Sequence, residues 1–135
     1  MKLIVCLDDQ NGMLFNGRRL SKDSCLRRRI LEITRSGTLW MNAYSAGQFE
    51  EEEQNWKTDE EFLVKAGTGE YCFVENADIR VCVERVEELI IYRWNRLYPS
   101  DTVFPLEAFS HWEKVSSFAF PGSSHEKLTE EVYRL

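Results

Sequence analysis

The sequence predicts an α/β domain with a mixed, mainly parallel central sheet and few helices. Residues 3–7 form a short apolar run that ends in a polar turn, which is typical of a buried strand. A helical pattern over residues 22–35 and a second apolar run at residues 38–41 follow it. A strand, a helix and a strand in this order normally give parallel strands with a right-handed crossover.

The first helix is predicted to span residues 22–35. Ser21 is the expected N-cap, and Asp23 falls in the first turn, where the helix dipole favours a negative charge. Leu26 and Ile30 are spaced to share one buried face, and Gly37 is expected to end the helix region.

Further strands are predicted at residues 71–74 and 112–120, and the strongest pattern, at residues 89–94, predicts a central position in the sheet. The acidic residues 50–53 and the polar stretch to residue 61 are predicted to form a solvated loop. Trp56 and Phe62 are its expected anchors.

Composition predicts one cytoplasmic domain over residues 1–135. The formal net charge of −6 argues against general nucleic-acid binding. The opening apolar run is too short for a signal peptide or a membrane span. The four cysteines form no C-x-x-C pair and are predicted to be reduced and buried.

Two blocks of the sequence resemble dihydrofolate reductases. In residues 1–50 these are the opening strand, the Asn-Gly turn at residues 11–12, the segment LSKD at 20–23 and the strand LWM at 39–41. In residues 87–135 they are LIIY at 89–92, DTVFP at 101–105 and WEKV at 112–115. The resemblance implies a reduced, dihydrofolate reductase-like three-layer sandwich whose cofactor-binding middle is largely missing.

The same resemblance implies a catalytic role for Asp23, at the position of the family's active-site carboxylate, and for Tyr92, where the family has a hydroxyl partner. A carboxylate beside an apolar pocket has a raised pKa and can transfer protons near neutral pH, so we expect a raised pKa for Asp23. The alternative interpretation is that Asp23 only places a charge at a helix N-terminus.

Departures from the family predict that no nicotinamide cofactor binds. Residues 42–45 read NAYS where the family has a Gly-basic-x-Thr turn, and only the hydroxyl of Ser45 is retained. Residues 51–86 leave no room for the strand, Gly-Gly turn and helix on which the cofactor pyrophosphate rests. Ser45 and Thr102 remain as candidate ligand-binding hydroxyls.

A cluster of basic residues near Asp23 predicts a small anionic ligand, pterin-like or nucleotide-like. The alternative is a solvated helix face paired with acidic neighbours. The candidate ligand-binding residues of this cluster are Arg18, Arg19 and Arg27, and its other members are Lys22, Arg28 and Arg29.

The sequence contains no strong pattern for a metal site or for a catalytic nucleophile. Two histidines are too few for a multi-histidine metal centre, so no metal site is predicted, and both are interpreted as surface or turn residues. The run Ser123-Ser124-His125 contains a nucleophile type and a base type, but sequence neighbours rarely have the required geometry. It is therefore interpreted as polar loop.

The last segment has two interpretations. Ser123 and Glu126 form a capping box, and Leu128 and Val132 keep helical spacing, which favours a helix. The resemblance implies a strand, and because local propensity is weak against tertiary context, we predict a strand.

The leading functional hypothesis is a degenerate, non-catalytic protein that binds a small anion or a partner. The alternative is an enzyme, either a reductase with an altered cofactor site or a hydrolase or transferase that reuses the Asp23 pocket. A third hypothesis is a subunit whose partner completes the site. A shortened sheet exposes an edge or an apolar face, so we predict a homodimer through residues 56–86 or the neighbouring sheet edge.

Overall fold

The computed structural model describes residues 1–49 and 56–135. These residues form ten strands, three α-helices and four short 3-10 turns. The helices are α1 (Ser24–Ile33), α2 (Ala43–Ala46) and α3 (Phe62–Lys65). The strands are β1 (Lys2–Leu7), β2 (Gly12–Phe15), β3 (Arg18–Arg19), β4 (Leu39–Met41), β5 (Trp56–Thr58), β6 (Tyr71–Phe73), β7 (Glu88–Arg93), β8 (Thr102–Val103), β9 (Glu113–Phe120) and β10 (Leu128–Arg134). The 3-10 turns are Gly47–Phe49, Ile79–Val81, Val83–Arg85 and Leu106–Phe109.

Seven of the strands form the central sheet in the order β5-β4-β6-β1-β7-β10-β9. The five strands from β5 to β7 are parallel, and β10 and β9 are antiparallel additions at one side. Strand β7 pairs with β1 along six residues, which confirms the predicted central strand. The remaining strands form a small sheet in the order β3-β2-β8. The α/β class and the mainly parallel sheet are confirmed.

Both faces of the sheet are covered, which gives the three layers. Along β1, Leu3 and Val5 point into one apolar core, and Ile4 points into the other. This alternation follows from the two-residue period of a strand. Helix α1 covers the Ile4 face with Leu26 and Ile30. None of the helices described is long and apolar enough to cross a membrane.

Helix α1 begins later than predicted. It starts at Ser24, and its N-cap is Asp23, whose carboxylate accepts hydrogen bonds from the amides of Cys25 and Leu26. The predicted cap, Ser21, lies two residues earlier and directs its hydroxyl to a distant side chain instead. The predicted start at residue 22 is therefore wrong, because an aspartate placed directly before the first turn satisfies its free amides.

The middle of the chain supplies more sheet than the sequence analysis expected. Strand β5 lies within the stretch predicted to be loop, and it pairs in parallel with β4 at Leu39 and Trp56. Trp56 also packs on Phe49, with ring centroids 5.4 Å apart. The predicted acidic loop at residues 50–53 lies outside the described residues. Trp56 is partly buried against Phe49 and gives this polar stretch the apolar anchor that the sequence predicted.

The last segment is a strand, as predicted. Strand β10 lies between β7 and β9, and Val132 pairs with Ile90. The helical spacing of its apolar residues is overridden because a seven-residue strand satisfies backbone groups on both of its neighbours. This pairing places the loop between β9 and β10 beside the start of α1.

Candidate functional site

Asp23 is the best-connected polar side chain described. It is buried, and its Oδ1 accepts hydrogen bonds from the amides of Cys25 at 2.9 Å and Leu26 at 3.3 Å. The loop between β9 and β10 provides the other donors. These are the Ser123 amide at 3.0 Å and hydroxyl at 3.1 Å to Oδ1, and the Ser124 amide at 2.7 Å and His125 Nδ1 at 3.0 Å to Oδ2.

These hydrogen bonds decide the charge of Asp23. Burial raises the pKa of the carboxyl, but the donors from Ser123, His125, Ser124 and Leu26 together outweigh burial and hold the pKa well below its usual value. The raised pKa that the sequence suggested is therefore wrong. Asp23 is an ionised structural and electrostatic centre, and it is not poised to transfer a proton near neutral pH.

His125 is bound on both ring nitrogens and is buried. Nδ1 lies 3.0 Å from the Asp23 carboxylate, and Nε2 lies 2.9 Å from the Tyr98 hydroxyl and 3.2 Å from the Ser21 hydroxyl. Its ring stacks on Trp94, with centroids 4.8 Å apart. Pairing with a carboxylate assigns the proton to Nδ1 in the neutral ring, which leaves Nε2 as an acceptor.

An open pocket of about 630 Å³ adjoins this histidine. Ser21, whose hydroxyl contacts Nε2 of His125, is one of its lining residues. The others come from β3, from the segment before α1, from α2 and from the loop between β9 and β10. They are Arg18, Arg19, Lys22, Tyr44 and Ser124.

The three basic residues of the pocket differ in their partners. Arg19 forms two hydrogen bonds with the Glu75 carboxylate, at 2.9 and 3.1 Å, and its guanidinium lies over the Tyr44 ring. Arg18 and Lys22 are exposed, and neither forms a salt bridge within residues 1–49 and 56–135. The pocket therefore presents two positive charges that the described part of the chain does not neutralise by a salt bridge, in a chain of net charge −6.

Tyr92 does not contact Asp23 through a hydrogen bond. Its buried hydroxyl donates to Glu130 Oε1 at 2.6 Å, and Arg29 forms a two-point salt bridge with the same carboxylate at 3.0 and 2.9 Å. Burial, followed by the Glu130 charge, raises the pKa of Tyr92 well above its ordinary value. Glu130 on β10 thus connects Tyr92 on β7 to Arg29 on α1, and the Tyr92 hydroxyl is engaged there and not at the Asp23 carboxylate.

The other predicted ligand-binding residues are dispersed. Ser45 is fully buried in α2, and its hydroxyl has no hydrogen-bond partner among the residues described. Arg27 lies on α1, outside the lining of the pocket. Thr102 lines a different pocket of about 250 Å³, together with Asp78 and Arg80. Of the five predicted ligand-binding residues, Arg18 and Arg19 line the open pocket, together with Lys22 of the same basic cluster.

The turn after β4 is already occupied by side chains of the chain itself. The Ala43 amide donates to the Glu60 carboxylate at 2.9 Å, and the Ser45 amide donates to the Asn42 side chain at 3.1 Å. A carboxylate at this turn repels the phosphate that the family's turn accepts. No group of three histidine, cysteine, aspartate or glutamate side chains suitable for a metal ion occurs among the residues described.

No sequence pattern predicted that His125, Ser21 and Tyr98 form a connected group. His125 was interpreted as a surface or turn residue, whereas the fold buries it against Asp23. The sequence feature that could have indicated a buried loop is Gly122, which directly precedes Ser123 and Ser124. A Cβ built at Gly122 would lie 2.5 Å from Asp23 Oδ2, so the loop approaches the carboxylate more closely than any other residue type allows.

Comparison with solved structures identifies the fold. The chain is similar to a dihydrofolate reductase from Enterococcus faecalis complexed with NADP(H) and RAB-propyl, with a TM-score of 0.67 and 16% sequence identity. The match covers 98% of this chain and 94% of the reductase. The sequence matches no family model and no curated protein. The chain therefore has a dihydrofolate reductase-like fold, as its sequence predicted.

Proposed function

We propose that this dihydrofolate reductase-like domain binds a small anionic ligand in the open pocket next to His125, and that it does so without a nicotinamide cofactor. The observation that carries the proposal is the pair of charges at one opening, Arg18 and Lys22, that form no salt bridge with the residues described. The Tyr44 hydroxyl lies in the same lining and can donate to an anionic oxygen.

The electrostatics support a local anion site in an acidic protein. Exposed Arg18 and Lys22 attract an anion to this opening, while the net charge of −6 disfavours long polyanions elsewhere on the surface. The Arg19 guanidinium is held by Glu75 and Tyr44, so it shapes the wall of the pocket and adds little free charge. A small, multiply charged ligand fits this arrangement better than a nucleic-acid backbone.

Pyrophosphate is the probe for the anion site. We expect Arg18→Gln and Lys22→Gln each to weaken pyrophosphate binding about tenfold, because each removes a charge-assisted contact of about 1.4 kcal/mol. Isothermal titration calorimetry at low salt measures the change, and added salt should weaken binding. Arg28→Gln, which removes an exposed charge of α1 outside the pocket, is the matched control. An equal loss of pyrophosphate affinity in all three variants would contradict a local anion site.

Reduced nicotinamide dinucleotides are expected not to bind in the micromolar range. The amide of Ala43 is engaged by Glu60, and Glu75 places a carboxylate shortly after β6, where it would repel a phosphate. Fluorescence titration with NADPH tests this directly. Saturable binding of NADPH in the micromolar range would contradict this expectation and favour the alternative function, a reductase with an altered cofactor site.

A homodimer in the cytoplasm is the proposed assembly. Strand β5 lies at one edge of the sheet, and Val64 and Val81 in the adjoining segment are 67% and 72% exposed. Free cysteines agree with a reducing compartment. Sedimentation equilibrium should give twice the 15.9 kDa chain mass, with an interface of at least ~1,000 Å² that Val81→Glu disrupts. Val115→Glu, on the opposite edge strand β9, is the control, and a monomer throughout would reject the dimer.

A further inference from the structure

We propose that Ser21, His125 and Asp23 form a nucleophile, base and carboxylate that hydrolyse a small ester at the pocket. Ser21 Oγ lies 3.2 Å from His125 Nε2, and His125 Nδ1 lies 3.0 Å from Asp23 Oδ2. A serine, histidine and aspartate linked in this order are the functional unit of serine hydrolases, which is recognised by geometry and not by sequence position.

The surroundings hold each member in its role. Asp23 stays ionised through amide donors from both α1 and the loop before β10, so it can stabilise a positive charge on His125. Trp94 stacks on the imidazole and limits its rotation. Ser21, in contrast with the buried pair, is only half-buried and lines the open pocket, where a substrate can reach its hydroxyl.

The reaction needs only the ester and water. Ser21 Oγ bonds to the carbonyl carbon while its proton moves to His125 Nε2, and the carbon–oxygen bond to the alcohol then breaks. His125 gives that proton to the departing alcohol oxygen. Water next adds to the acyl group, transferring a proton to Nε2, and the Ser21–acyl bond breaks as His125 returns the proton to Ser21 Oγ. The products are an alcohol and a carboxylic acid.

The substrate class follows from the charge of the pocket. An ester that carries a carboxylate or phosphate on its acyl part can place that group near Arg18 and Lys22 while its carbonyl approaches Ser21. This preference for an anionic ester rests on the proposed function, whereas the assignment of Ser21 as nucleophile rests on the hydrogen-bonded geometry alone.

Two para-nitrophenyl esters test the proposal on the full chain. The neutral probe is para-nitrophenyl acetate, and the anionic probe is mono-para-nitrophenyl succinate. We expect release of nitrophenolate with transient acylation of Ser21, located by mass spectrometry of peptides, and a rate about tenfold higher for the anionic ester. Ser21→Ala should lower the rate about a hundredfold, and Ser21→Cys should restore acylation at the same position. Ser36→Ala, in an exposed turn, should leave the rate of nitrophenolate release unchanged.

The outcomes separate the triad from the anion site. Acylation of Ser21 at equal rates by both esters supports the triad and rejects the anion preference. Pyrophosphate binding without acylation of Ser21 by either ester overturns the triad and leaves the anion site standing. Acyl groups found on Tyr98, which shares Nε2 of His125, or on the neighbouring Lys22 would also overturn the assignment of Ser21.

Discussion

Asp23→Asn is expected to lower the free energy of unfolding by about 3 kcal/mol, because an amide cannot accept all the hydrogen bonds that the buried carboxylate receives. The amide nitrogen would face the Ser124 amide or the His125 ring, both of which now donate to Oδ2. Urea unfolding at neutral pH measures the difference. Asp9→Asn, which removes an exposed carboxylate, is the matched control and should change stability little.

The same substitution should alter the pH dependence of stability. The folded-state pKa of Asp23 lies below its unfolded value of about 3.9, so the unfolded chain binds the proton first as the pH falls. The stabilisation from Asp23 is therefore fully present above that pH and declines below it, by about 1.4 kcal/mol per pH unit. The difference in the free energy of unfolding between the parent protein and the Asp23→Asn variant should therefore become smaller at acidic pH. A constant gap, or a variant as stable as the parent at neutral pH, would contradict the hydrogen-bonded carboxylate.

Gly122→Ala is expected to destabilise the fold by about 1–3 kcal/mol, the usual range for overpacking a filled site. The added Cβ would lie 2.5 Å from Asp23 Oδ2 and 2.8 Å from the His125 carbonyl oxygen, so the loop must move away from the carboxylate. That movement lengthens the contacts of Asp23 with both Ser124 and His125. Thermal and urea unfolding measure the loss.

Gly47→Ala is the matched control for this experiment. Gly47 has right-handed helical backbone angles, and nothing lies within 4 Å of a Cβ built there. Alanine at Gly47 should leave the free energy of unfolding unchanged or raise it by about 0.4–1 kcal/mol, because alanine reduces the conformational entropy of the unfolded chain. If alanine at Gly122 were equally well tolerated, the close approach of the loop to Asp23 would be disproved.

The two glycine experiments also bear on the proposed activity. A loop displaced by alanine at Gly122 carries His125 with it, because His125 lies three residues further along the same loop. Acylation of Ser21 should then fall more than stability alone explains, whereas the Gly47 variant keeps it. The position of the loop thus links the fold of the C-terminal strands to the chemistry of the pocket.

Local apolar patterns in the sequence were sufficient to predict the strands that depend on them. The runs that became β1 and β7 predicted buried strands, because short apolar runs rich in β-branched residues are typical of strands that are buried on both faces. The start of α1 was misplaced because several polar residues in a row can cap a helix, and only the structure shows that Asp23 does so.

The surroundings of Asp23, in contrast, follow from the way distant parts of the chain pack together. Its partners at residues 123–125 lie about one hundred residues away in the chain, and their arrival depends on β10 pairing with β7 and β9. The basic residues were likewise one cluster in sequence, but the fold separates Arg18 at the pocket from Arg29 at Glu130. Apolar periodicity records which face of an element is buried, whereas contact between distant polar side chains depends on strand pairing and loop path, which no local pattern encodes.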